Sequence, residues 1–207
     1  MGGNASKEHA LLADLIEAAR IGSAPHDLAS TLLAYFGSLE TAMWAPRAAI
    51  SHAVPGEAVR LSGLFAAAQA VWLHCLREKV TTRPVISNSV AVTDYLRASA
   101  AGSPVEEFRV LFLDAGNGLI ADHVLSTGTV SQVTVFPREV ITRALNVGAD
   151  GLILVHNHPS GDATPSQSDL AATRRIVAAA LCLDIRVHDH VIIGRGATCS
   201  LLALGLL

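Results

Sequence analysis

The spacing of hydrophobic positions changes once along the chain, and the change divides it. In KEHALLADLIEAAR the apolar residues Leu11, Leu12, Leu15, Ile16 and Ala19 recur at helical spacing. DLASTLLAYFGSLETAMW repeats the pattern, with Gly37 breaking it as a helix C-cap. VPGEAVRLSGLFAAAQAVWLHCLREKV reads as a turn followed by a long Ala/Leu-rich helix. No strand-like alternation occurs in residues 7–80. TTRPVISNS, residues 81–89, carries a proline at a change of composition and reads as a linker. The expected organisation is a small helical domain over 1–82 and a second domain over 83–207.

The second domain alternates its signals. SVAVTDYLRASA predicts a short helix. Residues 106–113 and 118–126 are β-rich and joined by DAGNG, a hairpin signal. TVSQVTVFP predicts a third strand. REVITRALNVGAD predicts an amphipathic helix ending near Gly148, and GLILVHNH a buried strand, apolar until its end. SDLAATRRIVAAALCLD then reads as a helix and IRVHDHVIIGR as the last strand. The fold class is α/β (α+β), a mixed sheet flanked by helices.

Composition narrows the function classes. Hydrophobic residues make up 51 % of 207, which permits a sizeable core and argues against disorder. The net charge is −3, and residues 1–82 hold six basic and seven acidic residues, so charge gives no reason to expect nucleic acid. No apolar run approaches the ~18–20 residues of a membrane span. No signal segment opens the chain. Gly2 and Ser6 meet a loose myristoylation pattern that is too short to weigh. Cys75, Cys182 and Cys199 lack metal-ligand spacing and read as buried, reduced thiols of a cytoplasmic protein.

The polar stretch HNHPSGDATPSQSD, residues 156–169, stands out directly after GLILV. On a strand, His156 and His158 point to one side and Asn157 to the other. A helix beginning near Pro165, with Thr164 as N-cap and Gln167 completing a capping box, leaves Ser166 and Asp169 on one face of its first turn. Ser-x-x-Asp is itself a capping-box spacing, so these two residues fit that role as well. Two imidazoles and a carboxylate make a Zn²⁺ ligand set with a fourth position left for water. Hydrolysis at such a metal wants a general base. Glu106 and Glu107 are the candidates, and strand parity puts Glu106 on the inward face with Phe108, Val110 and Phe112.

These residues carry a resemblance. His156-x-His158, seven residues, Ser166-x-x-Asp169 matches the JAMM metal motif. The extended stretch resembles the RadC family, as do VEEFRVLFLD, PREVITRAL, GLILVHNHPSG and HDHVIIG, over about residues 84–200. The resemblance implies an MPN-type domain with cytidine-deaminase-like topology. It implies zinc held by His156, His158 and Asp169, water activation by Glu106, and an oxyanion supported by Ser166. It implies cleavage of a peptide or isopeptide bond, hence a protein or peptide partner. His190 falls in a family-like stretch and reads as a structural neighbour of the site. Residues 7–80 resemble the family's helical domain with a helix-hairpin-helix. VPGEAVRLSG keeps Pro55-Gly56 but has Glu57-Ala58 where a second hairpin glycine belongs, which weakens the case for DNA.

The expected function is a zinc metallopeptidase. The alternative is a DNA-repair-associated module that binds DNA or protein around a non-catalytic metal. A metal-dependent nuclease is less attractive, because a single zinc without a second acidic cluster lacks the two-metal clamp.

Overall fold

The computed structural model describes residues 2–81, 84–85, 89–100, 103, 105–128 and 135–207. Among these residues are eight helices and five strands in a mixed α/β arrangement. The chain forms two compact units, Met1–His74 and Cys75–Leu207.

The first unit is helical. It comprises α1 (Gly2–Ala18), α2 (Pro25–Phe36), α3 (Leu39–Met43), α4 (Arg47–Ala53) and the first turns of α5 (Ala58–Thr81). Leu12, Ile16, Leu32, Ile50, Leu61 and Phe65 bury one apolar side from each of four helices in a common core. Gly37 ends α2 at φ +82, the left-handed C-cap conformation glycine adopts without penalty. Ser38 caps α3 by accepting from Thr41 N. Helix α4 is short, and the apolar pattern of the sequence did not announce it. At the α4–α5 turn, Glu57 lies one residue before α5 and pairs with Arg60 at 3.5 Å.

Two expectations need correction here. Cys75 and Cys182 are exposed and Cys199 is half-buried, because they sit on a solvent-facing helix position, in a surface turn and on a short edge strand rather than in a core. Helix α5 is also long and apolar enough, by length and composition, to span a membrane. Its few charges interrupt any continuous run, so counting runs overlooked it; such a helix alone is weak evidence of a membrane span.

The second unit is built on a five-stranded sheet in the order β2-β1-β3-β4-β5. The strands are β1 (Glu107–Leu113), β2 (Leu119–Thr127), β3 (Gly151–Asn157), β4 (Arg186–Ile193) and β5 (Thr198–Ser200). Among the described residues only the β3–β4 pair is parallel. α6 (Ser89–Ala100), α7 (Pro137–Val147) and α8 (Gln167–Leu181) complete the unit. All of β3 is buried, as its unbroken apolar run requires of a central strand. Phe108, Val110, Phe112, Leu152 and Leu154 form one core with Val140 and Ala144 of α7 and Ile176 and Ala180 of α8. Leu111, Leu113 and Val155, at alternate positions on the same strands, are also buried.

The DAGNG turn closes β1–β2 through Asp114, whose Oδ1 accepts from Gly116 N and Gly118 N, each at 2.8 Å. A buried polar knot ties α6 to the sheet: Arg109 donates to Asp122 at 2.8 Å, and Tyr95 Oη donates to the same carboxylate. Burial first, then the neighbouring Asp122, push the Tyr95 phenol up to about 12.

The expected last strand, in IRVHDHVIIGR, is followed by β5, which is too short to carry a periodic signal. The strand expected in TVSQVTVFP falls largely on residues 129–134, outside the described residues, as does most of the expected linker. Val135 and Phe136 are irregular, and Pro137 opens α7.

Candidate metal centre

The site lies where β1 begins, β3 ends and α8 begins. The antiparallel register places Phe108 opposite His156, so the residues just before β1 come level with those just after β3. Beyond that point β3 leans toward β4, where His158 N donates to Ile193 O at 2.8 Å. The loop after it is held tightly: Arg195 N donates to Gly161 O, and a Cβ placed on Gly194 would lie 2.3 Å from that same oxygen. Gly161 itself has φ +93.

The start of α8 differs from the expectation. Ser166, not Thr164, is the N-cap, and the helix begins at Gln167. Ser166 Oγ accepts from Asp169 N, while Asp169 Oδ2 accepts from Ser166 N at 2.7 Å and from Ser166 Oγ at 2.6 Å. This closed capping box satisfies two otherwise orphan amides of the first turn, which a Thr164 cap would leave to solvent. Thr164 instead caps the loop turn, bonding through both its amide and hydroxyl to Asp162 Oδ1.

Asp169 is buried, and its carboxylate meets both histidines: Oδ1 is 3.1 Å from His156 Nδ1, and Oδ2 is 3.6 Å from His158 Nε2. Burial alone would raise its pKa. The imidazoles of His156 and His158 beside it, with the hydrogen bonds from Ser166, reverse that and hold the carboxyl well below the usual range. His158 Nδ1 lies 2.7 Å from Asp162 O, which can only accept, so Nδ1 carries a proton. The neutral ring then presents a bare Nε2. The contact with Asp169, assisted by the Asp162 carbonyl and opposed by burial, raises the His158 pKa.

His156 has the complementary arrangement. Its Nδ1 faces Asp169, and its buried Nε2 has no hydrogen-bond partner among the described residues. Glu106 Oε2 stands 3.5 Å from that nitrogen. Glu106 is buried on the face of Phe108, whereas Glu107 is half-buried and lies 3.9 Å from Arg109. One donor atom each from Glu106, His156 and His158 falls within 4.8 Å of the others. Lone pairs converging in a buried space, with nothing to donate to them, are the donor chemistry a divalent cation satisfies. The residues therefore fit a metal.

Residues 86–206 match the family described as the RadC-like JAB domain. The chain belongs to that family. A UPF0758 protein of Rhodobacter capsulatus is 49 % identical over 183 residues, covering 87 % of this chain and 84 % of that protein. The JAB domain places the chain in the MPN/JAMM superfamily, and the donor cluster lies within the matched residues.

The RadC-like domain places His190, read from the sequence as a structural neighbour, beside the site, together with Thr173 and Asn157, to which sequence reasoning gave no role. His190 is fully buried, stacks on His156 at 6.4 Å and 13°, and shares the edge of Phe108 with it. Thr173 Oγ1 gives its one proton to Asp169 O, so His190 Nδ1 donates to Thr173 Oγ1 at 2.6 Å. Burial, reinforced by the nearby His156, pushes the His190 pKa down to about 3. Thr173 was detectable as the i+4 neighbour of Asp169 on one helix face. Asn157 was detectable as an amide residue closing a strand that is apolar up to His156, a residue type strands disfavour.

Proposed function

We propose that this chain is a zinc-dependent hydrolase of the JAMM type that cleaves a peptide or isopeptide bond. The supporting observation is the convergence of the unpartnered His156 Nε2, the bare His158 Nε2 and the Glu106 carboxylate at one buried point. In this reading His156, His158 and Asp169 hold the metal. Bound zinc supplies Lewis acidity, polarising a carbonyl and bringing the pKa of water toward ~7. Glu106 takes the proton from the attacking water and returns it to the leaving amine. Ser166 Oγ turns its hydrogen from Asp169 toward the developing oxyanion.

A second ligand assignment follows from one feature. Asp169 meets His156 at Nδ1, the side away from Glu106, which is how a carboxylate orients a ligating imidazole from behind. Glu106, His156 and His158 then form the ligand set.

Zinc analysis separates the two. The purified chain should hold about one zinc, lost in His156→Ala with Asp169→Ala. Under the first assignment Glu106→Gln keeps the metal and loses about 100-fold or more in kcat on a cleavable peptide or isopeptide library. Under the second it is Glu106→Gln that sheds zinc. A folded wild-type chain that binds no zinc, or a Glu106→Gln variant with wild-type turnover, rejects the hydrolase.

For the helical unit we propose a protein-facing or packing role rather than DNA binding. Glu57 stands at the start of α5, where a helix-hairpin-helix would offer amides to a phosphate. Forked and single-stranded DNA should show no anisotropy change with the full chain at low salt.

A further inference from the structure

The residue between the two histidines faces away from the donor cluster and bonds to the segment that supplies Glu106. Asn157 is buried. Its Oδ1 accepts from Glu107 N at 2.7 Å, and its Nδ2 donates to Val105 O at 3.0 Å. The two bonds thus fall on the peptide groups on either side of Glu106. The amide has one orientation that satisfies both, since an N–H can only donate and a carbonyl only accept.

The need for such a clamp comes from the sheet. The β1–β3 pairing ends at Phe108–His156, and His158 N turns to β4. Backbone bonds to β3 therefore do not reach residues 105–107, and the Asn157 side chain replaces them. From the β2 side, Gly128 N donates to Glu106 O at 2.8 Å. Val105 O has a second donor in Ser103 Oγ at 2.9 Å, so loss of Asn157 falls hardest on Glu107 N.

We propose that Asn157 is a positioning residue for Glu106. It fixes the backbone on both sides of that residue so that the carboxylate stays 3.5 Å from His156 Nε2. The histidines and the carboxylate are thereby set by one tripeptide, with His156 and His158 presenting nitrogens to one side and Asn157 holding the acid from the other. This inference rests on the reading that Glu106 works at the metal centre, whether as base or as ligand.

The test compares wild type, Asn157→Ala, Asn157→Asp and Glu106→Gln as full-length chains. Amide exchange and crystal structures are read without any substrate, and kinetics follow on the zinc-loaded proteins. In Asn157→Ala we expect the Glu107 amide to exchange at least ~10-fold faster and the Glu106 carboxylate to leave His156. Turnover should fall ~10–100-fold, the range typical of partners that orient metal-site groups, with KM within about twofold. Added to Glu106→Gln, the same change should cost nothing further, because the group it positions is already gone. Should Asn157→Ala fail to fold, Asn157→Asp carries the test: it keeps the acceptor for Glu107 N but sets a carboxylate oxygen against Val105 O, which pushes that peptide group away, and kcat should fall at unchanged KM. A Glu106 carboxylate at its wild-type position in either folded variant, or equal losses with and without Glu106, overturns the proposal. If the wild type cleaves no peptide, the hydrolase reading fails, and exchange and crystal structures still decide the role of Asn157.

Discussion

His190 shows how strongly one buried side chain couples this site to solvent acidity. Its folded pKa lies near 3, below the ordinary ~6.5 of an unfolded histidine. Between those values the unfolded chain binds more protons than the folded one, so stability rises with pH and is lost as pH falls through the window. By that linkage the residue costs about 2 kcal/mol at pH 5 relative to pH 7. Urea midpoints at pH 5 and pH 7 should therefore differ more in wild type than in His190→Gln, whatever the variant does to stability at pH 7. Equal pH dependence in the two proteins would mean that His190 takes up a proton while folded.

At the scale of elements, the loop Pro159–Pro165 depends on a glycine in another turn. A Cβ on Gly194 would press into Gly161 O at 2.3 Å and Ala163 N at 2.9 Å, both backbone atoms that no side-chain rotation can clear. Gly194→Ala should cost about 1–3 kcal/mol, as overpacking does, and weaken zinc binding by displacing His158. Denaturant midpoints and a zinc competition titration measure both. The sequence announced α2 and α7 because each has a clean helical period and a terminal glycine, and β3 because its apolar run is unbroken until His156. It announced Glu106 because strand parity separates it from Glu107. It misplaced the start of α8 because Thr164–Gln167 and Ser166–Asp169 carry the same local capping spacing, and only the tertiary contact of Asp169 with the histidines decides between them. The clamp by Asn157 was illegible for a similar reason: its partners, at residues 105 and 107, lie about fifty positions away in the chain.

Across the whole molecule the two units have separate cores. Phe65 is buried within the first, and every donor of the candidate metal centre belongs to the second. Phe65→Ala should cost about 3–5 kcal/mol, the usual range for emptying an aromatic core position, and leave zinc stoichiometry unchanged. Hydrogen exchange resolved by unit should rise in residues 1–74 alone. A variant that also sheds zinc would show that the helical unit supports the second one energetically.

The register that sets Phe108 against His156 also bears on the order in which the centre assembles. His156, His158 and Asp169 lie within a stretch of fourteen residues, whereas Glu106 is fifty residues upstream of the first histidine. Loop-closure entropy makes the longer connection costlier by about 1 kcal/mol, and long-range antiparallel pairing is slow to form. A refolding chain thus gathers its contiguous donors before the acid reaches them. If the chain binds metal as proposed, metal capture and the arrival of Glu106 would be separate kinetic events, and a cation taken up early would template the strand pairing that delivers Glu106.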